Sequence, residues 1–200
     1  TPKFEKFDSV TAAIELLKKF NSPIIIKPVD SSGSRGVRYF DDLSKINNDY
    51  LLNVLNLSKS NLGIIESFIA GQELAVDGFI VDGDFKFFSI CEKTRTKPPY
   101  LLDTELRFPA NLNNSSVSLI QKFVKKVVKV TKIHNSPIHM EIINSLQGPV
   151  LVEFGARGAG FNVYDTILPF ISGVDTIQLQ ISLSLGENIN VKEVQSKAAI

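Results

Sequence analysis

Ile138–Gly160, IHMEIINSLQGPVLVEFGARGAG, decides how the rest of the chain is read. His139, Glu141 and Ile143 alternate on one face of a strand that ends at Gln147-Gly148, and the chain returns through Leu151 and Glu153, read as one face of the partner strand. A turn centred near Gln147 sets Glu141 directly across from Glu153. Opposed carboxylates repel, and a sheet tolerates them poorly unless positive charge sits between them; a divalent cation is the simplest source. Arg157 follows in a loop punctuated by Gly155, Gly158 and Gly160, where a guanidinium clamps phosphate or carboxylate oxygens. The alternative is an edge hairpin whose acids face water, because a one-residue slip turns a glutamate to the other face.

Working outward, Ser9 caps an amphipathic helix through Ala13, Leu16, Leu17 and Phe20. Ile24-Ile25-Ile26 reads as a buried strand that delivers Lys27-Pro28 to its end. Val29–Val37, VDSSGSRGV, leaves backbone N–H groups open to an anion, with Arg35 adding charge; an ordinary polar hairpin loop is the alternative. Asp41 or Asp42 caps a second helix through Leu43, Ile46, Tyr50, Leu51, Val54 and Leu57. Gly63–Ile69 is a strand running into a connector, and Gln72–Ile80 and Phe85–Ile90 form a hairpin about Asp82-Gly83. Glu92–Asn111 has no sustained period and reads as a long loop in which Lys93, Arg95 and Lys97 are candidates for phosphate or substrate. Ser115 or Ser116 caps a long helix with a lysine stripe, and Thr166–Ile171 and Asp175–Leu185 are helical.

Composition narrows the function. The 200 residues are 44% hydrophobic, enough for one domain or two small lobes. With 22 basic and 21 acidic side chains, no global field draws the chain to nucleic acid or a membrane surface, so phosphate binding must be local. The stripe Lys122, Lys125, Lys126, Lys129 and Lys132 lacks interleaved aromatics and reads as a solvated helix face rather than a nucleic-acid surface. One cysteine, Cys91, and no apolar run of roughly 18 residues fit a cytoplasmic protein. The start at Thr1 suggests a piece of a longer protein.

These segments, in this order, resemble the ATP-grasp superfamily of ATP-dependent carboxylate ligases. The features are a strand ending Lys27-Pro28, a Ser/Gly loop, the run ESFIAGQE from Glu66 to Glu73, and glutamates twelve apart followed by arginine. The resemblance implies an α+β fold of two lobes with antiparallel sheets gripping nucleotide: a small lobe over 1–68 and a large lobe over 69–200. It implies that Lys27 contacts nucleotide phosphate and that the loop containing Ser31, Ser32, Gly33, Ser34 and Gly36 is a phosphate lid. Glu66, Ser67, Phe68 and Ile69 would hold adenine through backbone groups, and Glu73 the ribose hydroxyls. Glu141 and Glu153 would bind Mg2+, for which Mn2+ is a substitute, and Arg157 would steady an acyl phosphate. Where the family often has asparagine two residues after the second metal glutamate, this chain has Gly155.

The resemblance further implies ATP and Mg2+ as cofactors, a carboxylate and an amine as small-molecule substrates, and an N-terminal domain of the same protein preceding Thr1. A homodimer is compatible with it; nucleic acid and membrane are not implied. KPPYLLDTELRFPANL, Lys97–Leu112, is most similar to the amino-acid and dipeptide ligase branch, with phosphoribosylglycinamide synthetase-like and carbamoyl-phosphate synthetase-like readings open. His139 shares the expected metal face, either touching substrate or filling a structural role. A nucleotide-binding module without catalysis is the rival function, and a basic nucleic-acid-binding domain the third.

Overall fold

The structure is a computed structural model that describes residues 1–187, 189 and 191; the last residues of the expected 69–200 range therefore lie outside the described residues. The chain divides into two compact units. One comprises Thr1–Ala70 with Arg95–Thr104, the other Gly71–Thr94 with Glu105 onward. Among the described residues no helix is long and apolar enough to cross a membrane.

The first unit is a four-stranded antiparallel sheet in the order β1 (Phe4–Phe7), β4 (Gly63–Ser67), β2 (Ile24–Pro28), β3 (Arg38–Phe40). Ile24, Ile26, Phe40 and Ile65 face one way and bury against α1 (Val10–Leu17) and α2 (Asn48–Leu57) through Ala13, Leu51, Val54 and Leu55. Period-two alternation in the strands and 3.6-residue spacing in the helices make this core. Ser9 caps α1 as its sequence predicts, accepting from the Ala12 N–H at 3.2 Å. The expected single helix after Asp41-Asp42 is instead two pieces. Asp42 caps only a short 3-10 turn, Leu43–Lys45, and Asn47 starts α2 by accepting from the Tyr50 N–H at 2.8 Å. Two capping side chains within a few residues each begin their own turn, and Ile46 stays extended between them.

The second unit is a five-stranded antiparallel sheet in the order β7-β6-β5-β8-β9: β5 (Gln72–Val81), β6 (Asp84–Arg95), β7 (Asp103–Arg107), β8 (Ser136–Ser145) and β9 (Gly148–Gly155). Leu74, Val76, Ile80, Ile138, Met140 and Ile142 pack against Ile120, Val124 and Val128 of α3 (Asn114–Thr131). Ala75, Phe79 and Phe88 face the other way, where a π-helical turn (Val163–Ile167) running into α4 (Leu168–Ser172), and α5 (Thr176–Ser184), cover them through Val163, Leu168 and Leu179.

Asn113, not Ser115 or Ser116, caps α3, because its side chain reaches the Ser116 N–H at 2.8 Å. Asp175 caps α5 as expected. The supposed loop over Glu92–Asn111 is strand in two stretches, the end of β6 and β7, joined by a shorter connector over 96–102. β6 runs on to Arg95, the Thr96 N–H donates to Leu102 O at 2.8 Å, and Arg95 pairs with Asp103 at 2.7 Å. Pro99 O accepts from the Tyr39 N–H at 3.1 Å at the free side of β3, so this segment groups with the first unit.

Candidate functional site

The hairpin β8–β9 turns at Leu146-Gln147, with Ser145 opposite Gly148 and Ile142 opposite Leu151. A two-residue turn alone would bring Val152 to Glu141. Instead the pairing shifts by one between Glu141 and Ile142, Val152 is accommodated as an extra residue, and Glu141 stands opposite Glu153. The bulge also separates two residues that alternation places together. Leu151 joins Ile142 against the core, while Glu153 lies with Glu141 on the other face.

Residues directly opposite in an antiparallel ladder share a face, which identifies the neighbours of this pair. Ala75 on β5 pairs with Glu141, Asp77 with His139 and Glu73 with Ile143; on β6, Cys91 pairs with Ala75 and Ser89 with Asp77. Lys93 follows two residues after Cys91 on the same face, and its ammonium reaches Glu141 Oε1 at 2.5 Å. It is a strand residue with a side chain only 4% exposed, not a loop cation. On β5, Ala75 stands between Glu141 and Cys91 in the ladder.

His139 is wedged between carboxylates. Its Nδ1 lies 2.8 Å from Asp77 Oδ1 and its Nε2 3.8 Å from Glu141 Oε1. Burial disfavours the charged ring, but the hydrogen bonds and charges of Asp77 and then Glu141 outweigh it and raise the imidazole pKa to about 9. Positive charge beside Glu141 is therefore supplied by Lys93 and His139, not only by the cation that the opposed carboxylates suggest. Glu153 is more weakly held. Its Oε1 lies 3.4 Å from Arg157, and both side chains are 56% exposed. Among the described residues no three His, Cys, Asp or Glu side chains form a metal cage. Two hard carboxylates facing one another nevertheless fit Mg2+, which takes few protein ligands and completes its shell with phosphate and water.

Gly155 pairs with His139, and a Cβ there would lie 3.2 Å from Arg157 Cγ. The space that a side chain at 155 would need is thus bordered by the arginine itself. Gly158 has a different constraint: an added Cβ would meet the Tyr164 ring at 2.3 Å, with the Tyr164 hydroxyl donating to Thr176 O at 3.0 Å.

In the first unit, Lys27 and Glu66 share the sheet face away from the helices and pair at 2.7 Å, with Glu66 buried. Ile25 and Tyr39 lie on this face, and Phe68 meets Tyr39 edge-on at 5.0 Å. The Ser67 N–H donates to Lys3 O and the Phe68 N–H to Pro23 O, so both amides are engaged within the unit. The Ser31–Gly36 loop is anchored at its start by Asp30, which accepts from the Ser58 hydroxyl and the Lys59 and Ser60 N–H groups. Gly33, Ser34 and Gly36 are left-handed, a conformation that opens backbone N–H groups to anions. Arg35 folds back on Ser32 O at 3.0 Å.

Lys27 and Glu66 are thus brought together in one unit, and Glu141, Glu153, Arg157 and the face bearing Glu73 in the other. Asp77 escaped sequence reasoning. One acid in the apolar run Ala75–Val81 reads as interruption, yet a buried carboxylate is the most informative kind of residue in such a run.

In the second unit, the face with opposed carboxylates and an arginine suits a divalent cation; in the first unit, a lysine beside a Ser/Gly loop suits an anion. Residues 20–165 match the ATP-grasp domain model. The chain belongs to the ATP-grasp family, and its α+β architecture is the ATP-grasp fold. It is 27% identical to L-amino acid ligase from Bacillus licheniformis, with a TM-score of 0.72 over 92% of this chain and 42% of that one. Dapdiamide A synthase of Enterobacter agglomerans is 25% identical over 144 residues, 69% of this chain and 34% of that protein. The biotin carboxylase domain of Hydrogenobacter thermophilus 2-oxoglutarate carboxylase, crystallised with MgADP and bicarbonate, shares the fold at 17% identity and a TM-score of 0.76, over 98% of this chain and 45% of that one. The chain thus spans less than half the length of each.

Proposed function

We propose that this chain is the ATP- and metal-binding portion of an ATP-dependent carboxylate–amine ligase that works through an acyl phosphate. The observation that carries the reading is Glu141 opposite Glu153 with Arg157 following, in a chain of the ATP-grasp family. Lys27 neutralises phosphate charge, Ser31–Gly36 covers the phosphates, Glu66–Ile69 lines the adenine, and Glu73 accepts from ribose. Glu141 and Glu153 hold Mg2+, which supplies charge neutralisation on the phosphates when bound. Arg157 orients the carboxylate. The γ-phosphoryl group moves to a carboxylate oxygen and ADP leaves; the amine nitrogen then attacks the acyl carbon, loses a proton and expels phosphate.

The resemblance to L-amino acid ligase and dapdiamide A synthase favours amino-acid-like substrates. Residues outside this chain complete the acceptor site. Gly155 supports a second reading, a nucleotide-binding module without catalysis, because position 155 itself offers no side-chain ligand two residues after the second glutamate.

The test is ADP release by the full-length protein over a panel of amino acids and amines, with hydroxylamine trapping of the acyl phosphate. Glu141→Gln with Glu153→Gln removes the Mg2+-dependent part of ATP binding. Unchanged affinity refutes the metal assignment, and MgATP binding without ADP release on any substrate selects the second reading.

A further inference from the structure

Asp77 is 1% exposed on a strand whose same-face neighbours Ala75, Phe79 and Val81 are apolar and packed. Its Oδ1 meets His139 at 2.8 Å, but its Oδ2 has no hydrogen-bond partner among the described residues. Ser89 Oγ, on the residue directly opposite, is buried and unpartnered as well. A buried carboxylate with one oxygen unsatisfied works against folding, and packing at this position does not call for one. What it does is fix a ring. Asp77 holds Nδ1, which turns Nε2 toward Glu141 Oε1, the same oxygen that Lys93 contacts from across β5.

We propose that Asp77 and His139 form a positioning pair that, together with Lys93, sets the orientation of the Glu141 carboxylate toward the metal. The inference rests on the assignment of Glu141 as a metal ligand. A buried carboxylate orients an imidazole and the imidazole orients the ligand, so neither Asp77 nor His139 touches metal or substrate. Outer partners of this kind typically affect metal affinity 10–100-fold.

Two substitutions separate positioning from simple satisfaction of Asp77. His139→Asn places an amide near Nδ1, where it serves Asp77 and falls short of Glu141. His139→Gln places an amide near Nε2, where it reaches Glu141. Mn2+ is titrated into the full-length protein at saturating ATP, free Mn2+ being followed by electron paramagnetic resonance, and metal-free ATP binding is measured in parallel. The expected order is His139→Gln within about threefold of the unaltered protein and His139→Asn weaker by about tenfold or more, with metal-free ATP binding unchanged. A purely structural role gives the reverse order, and equal affinity for both variants also overturns the proposal. Asp77→Asn, nearly isosteric, is expected to lose about tenfold, and serves if either histidine variant does not fold. Glu141→Gln isolates the underlying assignment. Unchanged Mn2+ affinity in that variant sinks the ligand role, whereas loss there with none in the Asp77 and His139 variants sinks only the positioning pair.

Discussion

Lys93 and Glu141 lie on strands separated by β5, yet their side chains meet at 2.5 Å. Removing one partner of a buried pair leaves the other uncompensated, so Lys93→Met is expected to destabilise the protein by about 3 kcal/mol, the low end for such pairs because Glu141 is partly exposed. Denaturant unfolding measures the loss. Ala75→Leu adds bulk at the buried β5 position directly beside Glu141 and is expected to reproduce part of the effect without removing either charge.

Lys27 and Glu66 form the corresponding pair in the first unit. Lys27→Met is expected to weaken ATP binding at least about tenfold, in line with the strength of charge-assisted contacts to phosphate. Isothermal titration calorimetry of Lys27→Met against Glu66→Gln distinguishes the roles. The glutamine variant loses stability but retains the positive charge on Lys27.

His139 provides a pH signature in the metal-free protein. A folded-state pKa near 9, above the ordinary 6.5, means that the histidine contributes stability fully present below pH 6.5 and lost as pH rises from there through 9. Imidazole resonances followed by NMR should show that midpoint, and His139→Asn should flatten the corresponding part of the stability profile.

Gly155 and Gly158 separate crowding by a flexible side chain from crowding by a ring. Gly155→Ala presses on an exposed arginine that can shift, and is expected to change stability by under about 0.5 kcal/mol while displacing Arg157 and slowing turnover. Gly158→Ala meets the anchored Tyr164 ring and is expected to cost about 1–3 kcal/mol. Thermal melts and steady-state rates of the two variants check this contrast.

The opposed glutamates were legible because period-two alternation and a Gln-Gly turn are written into adjacent residues. The bulge at Val152 was not, since one extra residue leaves no mark in an apolar pattern; it changed the face of Leu151 while preserving the pairing of the acids. β1 escaped notice because Phe4-Glu5-Lys6-Phe7 becomes a strand only by pairing with β4, far along the chain. Lys93 was misplaced because prolines and charges farther on hid the continuing alternation Cys91, Lys93, Arg95. Helix caps were predicted as a class, yet Asn47 and Asn113 outcompeted nearby Asp and Ser, a choice made by local backbone geometry. Which amides of the connector are engaged, at Ser67 and Phe68, depends on partners at Lys3 and Pro23 that no local pattern announces.

β9 is the outermost strand of its sheet, and that position divides the labour of the two glutamates. Glu141 is gripped from inside the sheet, whereas Glu153 has a half-exposed arginine 3.4 Å away. If both bind one ion, they act as a fixed jaw and a compliant jaw. Adjustment to ionic radius then falls on Glu153, and exchanging Mg2+ for the larger Mn2+ becomes a matter of re-aiming one exposed side chain on an edge strand rather than disturbing the buried contacts of Glu141.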